Sequence, residues 1–217
     1  MNPIKKLIAG SPYRITRAHT EKGTVAFRGP EDCFDCLRSL GTFCVRIATG
    51  EPPNLPWLTY PAIRFLQAKL KSDARIFEFG GGMSTVWLER RCSEIHTVED
   101  NSVWFERLSM KTRRTKLTLA DGEAYINAID RFEDGFFDMI VVDGSIDRMA
   151  CFQRAERHLK PGGLMVIDDT DKEQVARGQI ACLDELMSAT RAYRVHRFSG
   201  WVPGSFWAKE TTIATKL

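Results

Sequence analysis

A glycine-rich stretch at residues 74–100 constrains the fold more than any other part of the 217-residue chain. Its sequence is ARIFEFGGGMSTVWLERRCSEIHTVED, which predicts a strand, a turn, a helix and a second strand. The first strand covers residues 75–79 and is broken by the glycines at 80–82, because glycine tolerates a positive φ. Ser84 can cap the helix, and residues 95–98 form the second strand. This β-α-β order is a building block of parallel sheets.

The glycine turn also predicts a ligand. In a β-α-β unit, residues without Cβ atoms let the backbone approach a nucleotide closely. An acidic residue about 20 positions further on can then bind the two ribose hydroxyl groups. Glu99 stands near this distance from the turn, at the end of the second strand, and Asp100 follows it. The stretch is therefore predicted to bind a nucleotide-like cofactor.

The residues around the turn resemble the signature of a known enzyme family. Glu78-Phe-Gly-Gly-Gly-Met-Ser84 is similar to the acidic-x-Gly-x-Gly-x-Gly pattern of class I S-adenosylmethionine-dependent methyltransferases. Ser84 replaces the third glycine, and a serine still suits a helix N-terminus. S-adenosylmethionine has no pyrophosphate, so it needs a carboxylate near its amino group more than it needs the helix dipole. Glu78 meets that need.

Two alternatives stay open at this stage. A nicotinamide-dependent oxidoreductase would use the turn as a dinucleotide fingerprint, but Gly80-x-Gly82-x-x-Thr85 lacks the final glycine of that pattern. Such an oxidoreductase would also need a separate catalytic domain after the nucleotide-binding fold, and we expect none here. A non-catalytic nucleotide-binding module would keep the fold without its chemistry. In such a module, the acidic and glycine residues of the cofactor site would be expected to be replaced by other residues. They are still present in this chain.

The segments that follow predict the rest of the sheet. Further strands are expected at residues 116–119, 137–142, 164–167, 193–198 and 205–212, and further helices at 102–110, 148–159 and 174–189. The fold class is therefore α/β: a Rossmann-like, doubly wound, seven-stranded sheet, mostly parallel with an antiparallel terminal strand and preceded by N-terminal helices. Residues 73–217 are expected to form this core, with residues 1–72 as an arm and helical extension packed on it.

The N-terminal part contains two predicted helices, at residues 32–49 and 61–70. The segment between them, Pro56-Trp57-Leu-Thr59-Tyr60-Pro61, resembles a subgroup of bacterial small-molecule or glycan methyltransferases. It is either a hydrophobic strap under the sheet or a wall of the cofactor or substrate pocket, since Trp and Tyr serve both purposes. The resemblance also implies that Asp121, which precedes Gly122, accepts a hydrogen bond from the adenine amino group. An Asp-Gly pair is equally natural as a turn.

These motifs and the resemblance together give one predicted cofactor site. Its members are Glu78, Gly80, Gly81, Gly82, Ser84, Thr85, Glu99, Asp100, Asp121, Gly122, Asp143, Thr59 and Tyr60.

Three carboxylates, Asp143, Asp168 and Asp169, follow two neighbouring strands of the predicted sheet. Their order resembles the metal ligands of catechol-type O-methyltransferases, in which Mg²⁺ binds the substrate hydroxyl and lowers its pKa. The alternative is that Asp143 orients the methionine amino group while the other two are turn or capping residues. The lysine that serves as base in the catechol enzymes is replaced here by Asp147 and Arg148. Asp143 and Asp147 are the predicted catalytic residues, with His196 as another candidate base.

The composition of the chain limits the classes of partner that it is expected to bind. A net charge of +3 with 27% charged residues is too mild to indicate nucleic acid binding. We find no apolar run of the roughly 20 residues that span a bilayer, and we expect a cytoplasmic protein. Of six cysteines, Cys36 and Cys44 fall where the first helix would bury them, so structural thiols are expected. The expected partners are a small-molecule or glycan acceptor and a second copy of the chain in a homodimer.

Overall fold

The computed structural model describes residues 16–18, 20, 26–171 and 192–217. Most of the N-terminal arm and the helix predicted at residues 174–189 lie outside the described residues. So does Cys182.

Within the described part of the chain, eight strands form one sheet. They are β1 (Thr16–Arg17), β2 (Arg75–Phe79), β3 (Glu94–Glu99), β4 (Lys116–Leu119), β5 (Phe137–Val142), β6 (Leu159–Asp168), β7 (Tyr193–Val202) and β8 (Ser205–Lys216). The order across the sheet is β4, β3, β2, β5, β6 and β8, and β7 pairs with the other side of β8. The chain adds β3 and β4 on one side of β2, and then β5 and β6 on the other side. The strand order therefore reverses between β2 and β5, and sheets of this kind bind ligands at the carboxyl ends of the strands at that point.

The directions of the strands confirm the predicted fold class. Strands β2 to β6 run parallel, and β8 runs antiparallel to both β6 and β7. The eighth strand, β1, was not predicted, because a two-residue strand is too short to show a period. It pairs parallel with β8 at Phe206 and Trp207.

Six α-helices accompany the sheet in the described ranges. They are α1 (Pro30–Thr49), α2 (Tyr60–Lys69), α3 (Met83–Glu89), α4 (Ser102–Lys111), α5 (Gly122–Ile126) and α6 (Arg148–Ala155). Sequence periodicity did not predict α5, which has only five residues. Residues 160–163, whose sequence is KPGG, lie inside β6, where the pairing with β5 shifts register and Gly162 has a φ of 77°.

The central strands are buried on both faces of the sheet, as their nearly continuous apolar sequences predict. Ile76 and Val141 belong to a core cluster on one face, whereas Phe77 and Ile140 belong to a cluster on the other. Each of these four side chains is at most 1% exposed. The two clusters hold the strands in register, so the strand ends that form the site are fixed by packing on both sides.

Helix α1 packs with its polar face inward. The hydroxyl of Ser39 donates to the carbonyls of Val202 and Ser205 at 2.9 and 2.6 Å, where β7 turns into β8. Buried Asp35 pairs with Arg64 of α2 at 2.7 Å. The apolar side of α1 is exposed instead, so the prediction that α1 buries Cys44 is wrong, and Cys36 is half-buried. The division of the chain at residue 72 stays a prediction.

No helix in the described ranges has both the length and the apolar character that crossing a bilayer requires.

Candidate active site

A cavity of about 340 Å³ opens at the carboxyl ends of the central strands. This volume lies within the range of small-molecule sites. Nine of the residues predicted for the site line it: Gly80, Gly81, Gly82, Ser84, Glu99, Asp100, Asp143, Asp168 and Asp169. Sequence reasoning thus located the cavity through the turns that follow β2, β3, β5 and β6.

The glycine turn is shaped by close contact with the turn after β5. Gly80 has a φ of 89°, and a Cβ added to it would lie 2.4 Å from the Cα of Gly144. Its N–H donates to the carbonyl of Val98 in β3 at 2.9 Å. Only glycine fits this position without moving backbone, because neither the φ nor the space accepts a side chain. The two turns therefore form one compact floor to the cavity.

Glu99 is held by backbone donors at the edge of the cavity. Its Oε2 accepts from the N–H of Gly81 at 2.6 Å and its Oε1 from the N–H of Asn101 at 2.9 Å. Burial raises the pKa of Glu99, and these hydrogen bonds oppose the rise. Asp100 accepts from the hydroxyl of Ser145 at 2.6 Å across the same rim. The Glu99 carboxylate is thus oriented, with acceptor capacity beyond these two bonds for a diol.

Glu78 lies beneath the glycine turn, outside the set of described residues that line the cavity. Its Oε2 accepts from the hydroxyls of Thr85 and Thr97 at 2.5 and 3.0 Å. The Thr85 hydroxyl in turn accepts from the N–H of Gly82 at 3.0 Å, so Glu78 holds the turn in place. Burial raises the pKa of Glu78 to about 7, against the opposing effect of the nearby hydroxyls. Direct contact of Glu78 and Thr85 with the cofactor stays a prediction.

The structure brings the three predicted metal ligands together. One carboxylate oxygen from each of Asp143, Asp168 and Asp169 lies within 4.8 Å of the others. A fourth residue, Lys209 of β8, reaches the same place: its Nζ donates to Oδ2 of Asp168 and lies 3.4 Å from Oδ1 of Asp169. Asp168 is 1% exposed, and its Oδ1 accepts from the hydroxyl of Thr211 at 2.7 Å. Sequence reasoning missed Lys209.

Lys209 carries its charge inside the cluster. Burial acts to lower the pKa of Lys209, but the neighbouring carboxylates of Asp168, Asp169 and Asp143 outweigh it and raise the pKa above its ordinary value. Lys209 therefore stands in ion-pair contact with Asp168 and Asp169. Asp169 has a φ of 57°, the left-handed region that aspartate tolerates better than most residues.

A second cation, Arg148, joins the turns after β5 and β6. Its guanidinium donates to the carbonyl of Gly144 at 2.7 Å, to the carbonyl of Asp168 at 2.7 Å and to Oδ1 of Asp143 at 3.2 Å. The predicted base Asp147 instead caps α6, accepting from the N–H groups of Met149 and Ala150 at 3.1 Å. Arg148 therefore lines the cavity, whereas Asp147 is absent from the described lining residues.

Two tryptophans form the apolar wall of the cavity. Trp57 and Trp104 both line it and meet edge to face, with ring centroids 6.4 Å apart. The Arg46 guanidinium lies 4.7 Å from the centroid of the Trp57 ring. This arrangement supports the pocket-wall interpretation of Trp57. Trp104, in contrast, is not among the site residues predicted from the sequence.

The remaining predicted site residues lie elsewhere among the described residues. Thr59 caps α2, accepting from Ala62 N–H at 3.4 Å, and donates to the carbonyl of Phe198 at 3.0 Å. Tyr60 is buried, with the Arg38 guanidinium 4.6 Å from its ring centroid. The structure does not bring either side chain to the cavity lining.

The Asp121-Gly122 pair is exposed at the start of α5, and it too lies outside the described lining residues. Gly122 has a φ of 50°, as its turn geometry requires. The candidate base His196 lies on β7, with its ring centroid 5.4 Å from that of Phe65. Roles for these three residues in binding or catalysis stay predictions.

Residues 77–170 match the family model of a methyltransferase domain. The match contains the glycine turn, Glu99, Asp143 and both aspartates at the end of β6. This part of the chain is similar to a methyltransferase domain. The prediction of a class I S-adenosylmethionine-dependent methyltransferase is thereby confirmed, and the match favours neither of the two alternatives.

Solved structures of methyltransferases share the fold of this one. An O-methyltransferase from Bacillus cereus in complex with S-adenosylhomocysteine is 20% identical, with a TM-score of 0.61, over 83% of this chain and 91% of that one. TomG from Streptomyces achromogenes, an O-methyltransferase of tomaymycin synthesis in complex with S-adenosylmethionine, is 17% identical, with a TM-score of 0.59, over 82% and 89%.

A Klebsiella pneumoniae protein with a provisional O-methyltransferase assignment matches the present chain over nearly the whole length of both proteins. It is 19% identical, with a TM-score of 0.59, and the match covers 99% of this chain and 94% of that one. The sequence matches none of the curated proteins with which it was compared.

Proposed function

We propose that this methyltransferase transfers the methyl group of S-adenosylmethionine to a hydroxyl oxygen of a small molecule, a sugar included. The observation that carries the proposal is the oriented Glu99 carboxylate at the edge of a cavity floored by the glycine turn. The Bacillus cereus and Streptomyces achromogenes enzymes, which share this fold, bind S-adenosylhomocysteine and S-adenosylmethionine. We place the ribose hydroxyls on Glu99 and the amino acid end of the cofactor above Gly80.

The protein's contribution to such a transfer is mostly alignment and exclusion of water. The bound cofactor would supply an electrophilic methyl group on a sulfonium. Trp57 and Trp104 would cover one side of the acceptor and exclude water from the reacting atoms. The floor made by the two turns would fix the cofactor relative to the acceptor, and such positioning can supply much of the rate gain.

A neutral hydroxyl acceptor also needs a group that takes its proton. Asp143 is the better placed of the two predicted catalytic residues, because its carboxylate is about a quarter exposed and lines the cavity. Arg148 fixes its orientation through Oδ1. We therefore propose Asp143, rather than the helix cap Asp147, as the base. The identity of the acceptor is expected to follow from the aromatic wall, which suits a flat or sugar ring.

The magnesium ion implied by the resemblance would be held by Asp143, Asp168 and Asp169. Mg²⁺ requires oxygen ligands at about 2.0–2.1 Å in octahedral geometry and usually keeps several waters. Here the ammonium of Lys209 already contacts two of the three carboxylates. The residues present do not fit a magnesium ion together with Lys209. The magnesium site stays a prediction from the sequence, and the proposed reaction uses none.

The test is a transfer assay with S-adenosylmethionine labelled on its methyl group and panels of phenols, catechols and sugars as acceptors. We expect S-adenosylhomocysteine and labelled acceptor to form in equal amounts with at least one panel member. Labelled product that survives mild alkaline hydrolysis would identify an ether rather than an ester. Exclusive labelling of amine acceptors, tested in a parallel panel, would contradict O-methylation.

We also propose that the chain forms a homodimer through the outer face of α1. Phe34, Leu37, Gly41, Cys44 and Ala48 recur at alternating spacings of three and four, the seam along which one helix packs on another. Phe34 and Leu37 are 62% and 67% exposed. A second copy presents the same seam, so a twofold axis would let the two helices cover each other. The cytoplasmic location stays a prediction.

The dimer is tested by sedimentation equilibrium of the wild-type chain and of Leu37→Glu. We expect a wild-type dimer, and a monomer for Leu37→Glu because the substitution puts a charge into the seam. Val103→Glu is the matched control, since Val103 is 73% exposed on α4. It should leave the dimer intact. A monomeric wild-type chain, or a Leu37→Glu dimer of unchanged affinity, would rule the seam out.

A further inference from the structure

We propose that the ammonium of Lys209 takes the place that a divalent cation would occupy between the three aspartates, so that this site is built to work without a metal. The inference rests on the proposed function, because it concerns the same cavity. It differs from the expectation drawn from the sequence, in which the aspartates hold Mg²⁺. Lys209 reaches the aspartates because of the way β8 pairs with β6.

The strand pairing directs Lys209 to the cluster. Strand β8 runs antiparallel beside β6, and Thr211 is the direct partner of Asp168. Lys209 lies two residues before Thr211, so both side chains point to the same face of the sheet. Both bind Asp168: the Thr211 hydroxyl donates to Oδ1, and the ammonium donates to Oδ2. The lysine is therefore seated by the register of the sheet.

The described partners leave little room for an added cation. Lys209 is 7% exposed, and its Nζ lies 3.4 Å from Asp169 in addition to its bond to Asp168. A metal ion bound by these two carboxylates would stand next to a buried positive charge. Like charges at such a distance repel strongly where little water screens them.

The charges of the cluster are also largely compensated without a metal. Lys209 pairs with Asp168 and Asp169, while Arg148 pairs with Asp143 at 3.2 Å. Two cations thus face three carboxylates, and both cations are held by hydrogen bonds to groups at the ends of β5 and β6. The repulsion that would make three bare carboxylates recruit a divalent ion is therefore reduced.

Lys209 can then act directly on the acceptor. It lines the cavity, and an ammonium has three N–H donors, of which the two aspartates account for at most two. The remaining donor can bind the acceptor oxygen and stabilise the negative charge that develops as Asp143 takes its proton. A single ammonium charge activates a hydroxyl less than a divalent metal does, so we expect acidic hydroxyls such as phenols to be the preferred acceptors.

The experiment measures binding of Mn²⁺, a spectroscopic stand-in for Mg²⁺, to EDTA-treated protein by electron paramagnetic resonance. Wild type, Lys209→Met and Lys160→Met are compared, each with and without S-adenosylhomocysteine. Lys160 is the matched control, because it pairs with Asp138 at 2.5 Å, away from the cavity. We expect no saturable Mn²⁺ site in wild type or Lys160→Met. Lys209→Met, which frees the carboxylates, should instead show one saturable Mn²⁺ site per chain.

Saturable binding of Mn²⁺ to the wild-type chain that is lost in Asp168→Asn would overturn the inference. The absence of a site in both wild type and a folded Lys209→Met would also overturn it, because the lysine would not be what excludes the ion. Lys209→Gln gives the same comparison should Lys209→Met not fold. Failure of S-adenosylhomocysteine to bind would contradict the proposed function instead, so the two failures are distinguishable.

Discussion

Replacement of Asp168 by alanine is expected to lower the free energy of unfolding by about 3–5 kcal/mol, because it leaves a buried ammonium without its main partner. Lys209 donates to Asp168, and the Lys209 side chain is only 9% exposed. Asp169, at 3.4 Å, offers a weaker replacement. The variant also removes the acceptor of the Thr211 hydroxyl. Urea denaturation followed by circular dichroism measures the change.

A double variant separates the ion pair from the packing around it. Asp168→Ala combined with Lys209→Met removes both charges, so it should be more stable than Asp168→Ala alone. Asp138→Ala is the matched control, because Asp138 and its partner Lys160 are each about one-third exposed. We expect that control to cost about 1 kcal/mol or less. An Asp168→Ala variant as stable as the control would contradict the buried ion pair.

The second large effect is expected on cofactor affinity. Glu99→Ala should weaken S-adenosylhomocysteine binding by about 2–4 kcal/mol, because two charge-assisted hydrogen bonds to the ribose hydroxyls are lost. The carboxylate is already oriented by the N–H groups of Gly81 and Asn101, so the wild-type chain loses little freedom on binding. Isothermal titration calorimetry of the variant measures the loss.

Glu94→Ala provides the matched control for this position. Glu94 starts the same strand that Glu99 ends, and its carboxylate pairs with Lys116 at 2.6 Å, away from the cavity. Its replacement should leave S-adenosylhomocysteine affinity unchanged. If Glu99→Ala binds as tightly as Glu94→Ala, the ribose does not lie on Glu99.

The sequence predicted those parts of the fold and site that depend on local pattern. Glycines at 80–82, a strand before them and an acid near 20 positions later are close in the chain and constrain one turn. The observed bounds of β2, β4 and β5 equal the predicted ones, because short apolar runs between turn residues leave little freedom for strand ends.

The rest depends on pairing between distant segments. Lys209 reaches Asp168 across 41 positions of sequence, and only the antiparallel register of β8 on β6 brings the two together. Only one local feature of the sequence could have pointed to Lys209. It lies beside Glu210 in a strand segment that is otherwise uncharged. The orientation of α1 was missed for a similar reason. Periodicity shows that a helix has an apolar side, but Ser39 and its partners at the β7–β8 turn decide which side faces the sheet.

The most direct test of the central claim is a calorimetric titration of the EDTA-treated wild-type chain with S-adenosylhomocysteine and, separately, with NAD. A cavity built around Glu99 and the glycine turn as a methyltransferase cofactor site should bind one S-adenosylhomocysteine per chain and give no measurable heat with NAD. Saturable binding of NAD without binding of S-adenosylhomocysteine would contradict it.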